Sequence, residues 1–92
     1  MILDVSAFGK MLISRPQGRE AFLAARAYSV PTDRHEPIDL DFRLVDVLTP
    51  SWADEFLRGL QEERGTENVR VLPGGNASVE LALKAVLHSP TA

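Results

Sequence analysis

Thr49, Pro50 and Ser51 lie in "LDFRLVDVLTPSWADEFLRGL", residues 40–60, between an alternating apolar run and a helical stripe. Two hydroxyls in three residues at a helix start can do two kinds of work. A Ser or Thr oxygen can accept a hydrogen bond from a free backbone N–H and cap the helix. The same hydroxyl can carry phosphate, because the free N–H groups and the helix dipole favour negative charge. Ser51 has Asp54 three residues on, so S-W-A-D is close to a capping box with Asp in place of Glu. Ser51 is therefore the expected cap, and Ser51 and Thr49 are the expected phosphate acceptors. Asp54 and Glu55 oppose added charge. Arg15, just before the first helix, offers a guanidinium. If the fold brings it to Thr49 and Ser51, the three can hold a phosphate or carboxylate.

Other residue types suggest less. Asp39 and Asp41 share one face of an alternating strand, where two carboxylates can exchange protons or hold a cation. A solvated sheet face is the ordinary use of such residues. Clustering of Asp39, Asp41 and Asp46 around a metal would revive an enzyme reading. His35 and His88 have no ligand spacing around them, so no metal site is expected. "PGGNAS" follows a strand and precedes a helix, where an anion can sit. It lacks the Lys of a P-loop and the third glycine of a dinucleotide fingerprint, and reads as a tight turn with an Asn cap. No G-x-S-x-G elbow is present. No catalytic group and no cofactor is expected.

Composition narrows the classes. Ninety-two residues suit one small domain, 1–92. An apolar fraction of 45% and a charged fraction of 25% argue against disorder. The net charge of −3, with scattered Lys and Arg, argues against nucleic acid as the main partner. With no cysteine, disulfides, thiolate metal sites and a Cys nucleophile are excluded. No apolar run approaches the roughly 20 residues that span a bilayer. "MILDVSAFGK" carries an acid at position 4 and no basic segment before its apolar part, unlike a secretory signal. A cytoplasmic protein, with no membrane partner, is the expectation.

The elements that must position these residues follow from periodicity. Ile2–Val5 and Lys10–Ile13 read as two short strands joined as a hairpin through "AFGK". Pro16 fits a first helical turn capped by Ser14 or Arg15, and "QGREAFLAARAY" continues that helix to near Tyr28. "VPTDRHEP" is a loop. In "PIDLDF", Ile38, Leu40 and Phe42 face one way and Asp39 and Asp41 the other. "RLVDVL" continues extended or turns toward the hinge. Trp52, Phe56 and Leu60, flanked by Ala53 and Leu57, form one helical stripe, and Asp54 with Arg58 is a favourable i, i+4 pair. Gly65 stops this helix. "NVRVL" is a strand. Asn76 or Ser78 caps a last helix through Val79, Ala82, Leu83 and Val86, and "HSPTA" is a frayed tail. The order β-β-α-β-α-β-α predicts an α/β domain with parallel neighbours and right-handed crossovers.

Asp41-Phe42, Val45, Thr49, Ser51, Trp52, Ala53-Asp54-Glu55 and Leu57 together resemble the centre of the small bacterial STAS-like domains. Ser14, Arg15 and Gly18 in "LISRPQGREAF" are similar to that group's N-terminal segment. The resemblance covers roughly residues 1–88. It implies a mixed sheet of about four strands with three helices. The wider class includes anti-sigma factor antagonists, which are not enzymes. They bind a histidine-kinase-like ATPase that phosphorylates a hydroxyl at the hinge, and the added charge breaks the complex. The class hinge often reads Asp-Ser-Ser-Gly. Its first serine falls here on Pro50, which cannot accept phosphate, its second on Ser51, and its glycine on Trp52. Any switch therefore falls to Ser51 or Thr49.

Two functions remain in view. One is a regulatory interaction module that docks a protein around the hinge, with Trp52 as an interface anchor if exposed and as core if buried. The other is a sensor of a small anion or ligand at Arg15, Thr49 and Ser51. A homodimer through an edge first strand is compatible with either.

Overall fold

The structure, a computed structural model, describes residues 1–87. His88 and the expected tail lie outside the described residues. Among the described residues, five short strands and three α-helices follow one another. They are β1 Ile2–Asp4, β2 Met11–Leu12, α1 Arg15–Ala24, β3 Ile38–Asp41, β4 Val47–Leu48, α2 Pro50–Arg64, β5 Val69–Val71 and α3 Ala77–Leu87. The α/β class is the expected one. The strands are arranged differently: there are two sheets, β1-β3-β5 and β2-β4, and every pairing is parallel.

The predicted β1–β2 hairpin does not form. Asp4 accepts from the Ser6 N–H and caps a 3₁₀ turn, Val5–Phe8, that ends at Gly9 with φ +130°. That turn leads into β2, which lies in a different sheet from β1. Met11 and Leu12 then pair with Val47 and Leu48, a strand too short to show a period. The carbonyl of Lys10 receives the amides of Asp46 and Val47, and that of Leu12 receives Thr49 N–H. The hinge is thus stitched to the chain that enters α1.

Alternation in β3 behaves as predicted. Ile38 and Leu40 have no exposure and Phe42 has 1%. Each fully buried side chain of this kind contributes about 1.5–3 kcal/mol relative to exposure. Trp52, Ala53, Phe56, Leu57 and Leu60, the α2 stripe, lie in the same core with Val79, Ala82 and Leu83 of α3. Helix α1 packs chiefly on α2, which also meets α3. The close approach of α1 and α2 needs a residue without a side chain. A Cβ on Gly18 would lie 2.6 Å from the Trp52 carbonyl oxygen.

Helix ends follow local chemistry. Ser14 caps α1 and forms a full capping box with Gln17. The helical backbone then widens into a π turn, Ala25–Ser29, so it ends where the sequence predicts. Gly65 closes α2. In its last turn Arg64, 5% exposed, donates to the carbonyls of Pro31, Asp33 and Glu36. A buried cation answered by three carbonyls pins the loop 31–36 beneath the C-terminal end of α2. The sequence reading missed it. Its only signal is an arginine in the turn before a helix-ending glycine. Among the described residues, no helix is long and apolar enough to cross a membrane.

Candidate functional site

Thr49, not Ser51, caps α2. Its hydroxyl accepts from the Trp52 N–H at 3.4 Å and donates to the Ile13 carbonyl. Pro50 takes the first helical position, where its missing N–H costs nothing. Ser51 is therefore one place inside the helix, and the expected S-W-A-D box does not form. The proline explains the shift. It favours an extended backbone at the residue before it, the conformation a cap requires, and Thr49 has φ −104° and ψ 155°. The preceding residue is clasped from α3: Ser78 Oγ accepts from Leu48 N–H and donates to its carbonyl. The hinge is held on both sides.

Ser51 is exposed. Among the described residues its hydroxyl has no hydrogen-bond partner. It opens onto a cleft of about 280 Å³ lined also by Arg15, Pro50, Asp54, Arg58, Ala85 and Val86. Ser51, Asp54, Glu55 and Arg58 fall at i, i+3, i+4 and i+7, one face of α2. Arg15, the first residue of α1, reaches across the helix interface. Its Nη1 donates to Asp54 Oδ2 at 2.8 Å and to Glu55 Oε2 at 3.2 Å. Arg58 Nη2 donates to the other Asp54 oxygen, Oδ1, at 2.9 Å. One carboxylate thus holds two guanidinium groups beside a free hydroxyl. The hydrogen bond to Asp54, and next that to Glu55, holds the Arg15 guanidinium above its ordinary pKa.

So the fold brings Arg15, Ser51, Asp54 and Arg58 to one cleft, where the sequence reading grouped Arg15 with Thr49 and Ser51. The Asp54–Arg58 pair was legible from spacing; the sharing of Asp54 with Arg15 was not. Thr49 borders the site, with its hydroxyl engaged as both donor and acceptor. Trp52 departs from the interface-anchor alternative. It is 1% exposed and stacks on Phe56 with ring centroids 4.8 Å apart. The helical stripe that places it also turns it inward.

Each of the paired aspartates is engaged by an arginine. Asp39 accepts from Arg70 Nε at 2.8 Å. Asp41 takes a two-pronged bond from Arg43, Nε to Oδ1 at 3.0 Å and Nη2 to Oδ2 at 2.9 Å. That guanidinium, and then the Arg43 N–H, holds the Asp41 carboxyl below its usual range. Among the described residues no group of three or more His, Asp or Glu is placed to hold a metal ion. His35 is an exposed loop residue. In the "PGGNAS" loop, Asn76 caps α3 by accepting from Val79 N–H and ties the loop to the carbonyls of Val45 and Asp46. The cap occupies one of the donors that an anion would use. No protein-family model, no curated protein and no solved structure matches the chain.

Proposed function

We propose that this chain is a non-enzymatic regulatory module of STAS-like type that docks a protein partner at the face around Ser51. One observation carries the reading. Of the two hinge hydroxyls, one is consumed by structure and the other is exposed in a cleft with Arg15 and Arg58. A hydroxyl that the fold does not use is free to be modified without loss of the helix. Met11 on β2, 62% exposed, and Ile13 just after it, 45% exposed, add apolar surface on the segment that leads into α1. Trp52 contributes nothing to docking, because it is core.

The partner expected from the resemblance is a histidine-kinase-like ATPase. The γ-phosphoryl group of its nucleotide passes to Ser51 Oγ. The bond between the β–γ bridging oxygen and the γ-phosphorus breaks, the serine proton leaves to a base on the partner, and ADP departs. The added charge of about −2 then opposes Asp54 and Glu55 and ends the complex. The test is affinity capture with wild type, Ser51→Ala and Ser51→Asp as baits. An ATPase enriched on wild type and Ser51→Ala but lost on Ser51→Asp supports the reading. Equal enrichment on all three, or none on any, removes it.

The two guanidinium groups also favour a second reading, a sensor of a small anion at the same cleft. Saturable binding of inorganic phosphate by calorimetry, abolished by Arg15→Gln, distinguishes it from protein docking.

A further inference from the structure

We infer that Asp54 is a resident stand-in for a phosphate on Ser51, and that phosphorylation makes Arg15 and Arg58 exchange the carboxylate for the phosphate. This rests on the reading of Ser51 as the modified residue and adds what the modification does inside the molecule.

The geometry supports the exchange. Both arginines already converge on one group: Arg15 on Asp54 Oδ2 and Arg58 on Asp54 Oδ1. Asp54 lies one helical turn beyond Ser51 on the same face of α2, and all four residues line one cleft. Side chains on a helix lean toward its N-terminus, so Arg58, which reaches back to Asp54, points along the path to Ser51. The arginines are 51% and 58% exposed on their side chains and free to re-aim. A phosphate has three acceptor oxygens and about two charges where Asp54 has two oxygens and one charge. It is the stronger ligand for two guanidinium groups, and it sits on the first turn of α2, where the dipole favours it.

Among the described residues, the charges lining the cleft come from α1 and α2; α3 contributes Ala85 and Val86. Arg15 and Arg58 now balance Asp54 and Glu55. With phosphate on Ser51 the cleft gains about two negative charges, and Asp54 is left facing solvent without its arginines. Arg15 is the first residue of α1. The exchange therefore moves the anchor of α1 from the second turn of α2 to its first. A modification on one helix becomes a change in how two helices are tied.

The test uses the full chain with phosphoserine installed chemically at position 51, so it does not depend on any kinase. Phosphorus NMR against pH reads the second ionisation of the phosphate, about 6 when unperturbed. Two nearby guanidinium groups are expected to lower it by about one pH unit or more. Arg15→Gln and Arg58→Gln should each return part of that shift, and the double variant nearly all of it. Arg15→Lys should restore only part, since lysine cannot offer two parallel donors. The Arg15 guanidinium resonances should move on phosphorylation, while those of Arg26 stay. A phosphate that ionises alike in wild type and the double variant overturns the exchange, even where a partner is released by charge at Ser51. A lowered, arginine-dependent ionisation with no partner retains the exchange and removes the docking reading.

Discussion

The starts of α1 and α2 are built from nearly the same residues and end with different accounts of their hydroxyls. Helix α1 opens Ser14-Arg15-Pro16 and α2 opens Thr49-Pro50-Ser51. In α1 the serine caps, Gln17 answers it, and nothing is left over. In α2 the proline directly follows the cap, so capping falls to Thr49 and the serine is carried one place inside the helix. There its hydroxyl has no structural duty among the described residues. A single change in the place of a proline separates a closed helix start from one with a spare reactive group. The two starts are also tied to each other, because Arg15 of one holds Asp54 and Glu55 of the other.

The largest effect comes from breaking the contact that sets the two starts side by side. Gly18→Ala drives a methyl group into the Trp52 carbonyl, and backbone cannot yield as a side-chain tip can. A loss of about 2–3 kcal/mol is expected in urea unfolding. Thr49→Ala comes next. It removes the α2 cap and leaves the Ile13 carbonyl without its donor, for a loss of about 1–2 kcal/mol, while Thr49→Ser stays near wild type. Ser14→Ala removes one cap with no cross-chain bond and should cost about 1 kcal/mol. Ser51→Ala is the sharpest comparison, with a change below about 0.5 kcal/mol. If Ser51→Ala costs as much as Thr49→Ala, the division of labour between the two hydroxyls is wrong.

A pH series supplies a control away from both starts. The Asp41 carboxyl is held below its usual range by Arg43, so this pair stabilises the fold above the ordinary carboxylate range. The contribution disappears as pH falls through the lower, folded value. Arg43→Gln should therefore be less stable than wild type at neutral pH, with the gap closing on acidification. The urea midpoints of Thr49→Ala should show no such closure relative to wild type, since a hydroxyl cap does not titrate.

Long periodic segments were legible in the sequence because one physical rule decides each. The α2 stripe of Trp52, Phe56 and Leu60 and the alternation of Ile38 with Leu40 are both buried as predicted. The Gly65 stop was legible too, and the α1 cap was narrowed to Ser14 or Arg15, of which Ser14 caps. What failed was decided by contacts far along the chain. The hairpin failed because Met11 and Leu12 gain their partners from Val47 and Leu48, 36 residues on. The assignment of the cap to Ser51 gave weight to Asp54 at the capping-box position and too little to Pro50. Asp54 instead accepts from two arginines, one of them 39 residues away in sequence. The site was half legible. Arg15 and Ser51 line one cleft, but the parts played by Asp54 and Arg58 and the occupation of Thr49 needed the fold.

Under the proposed function, Ser51 is the residue left free for regulation and Thr49 is not. Its most direct test is fragmentation mass spectrometry of the protein recovered from its native host, both in complex and released. Thr49 and Ser51 fall on one tryptic peptide, residues 44–58, so backbone cleavage on either side of Pro50 must assign the phosphate. Phosphate on Ser51 in the released fraction, with Thr49 unmodified, is the predicted result. Phosphate on Thr49, or an unmodified hinge in both fractions, would contradict it.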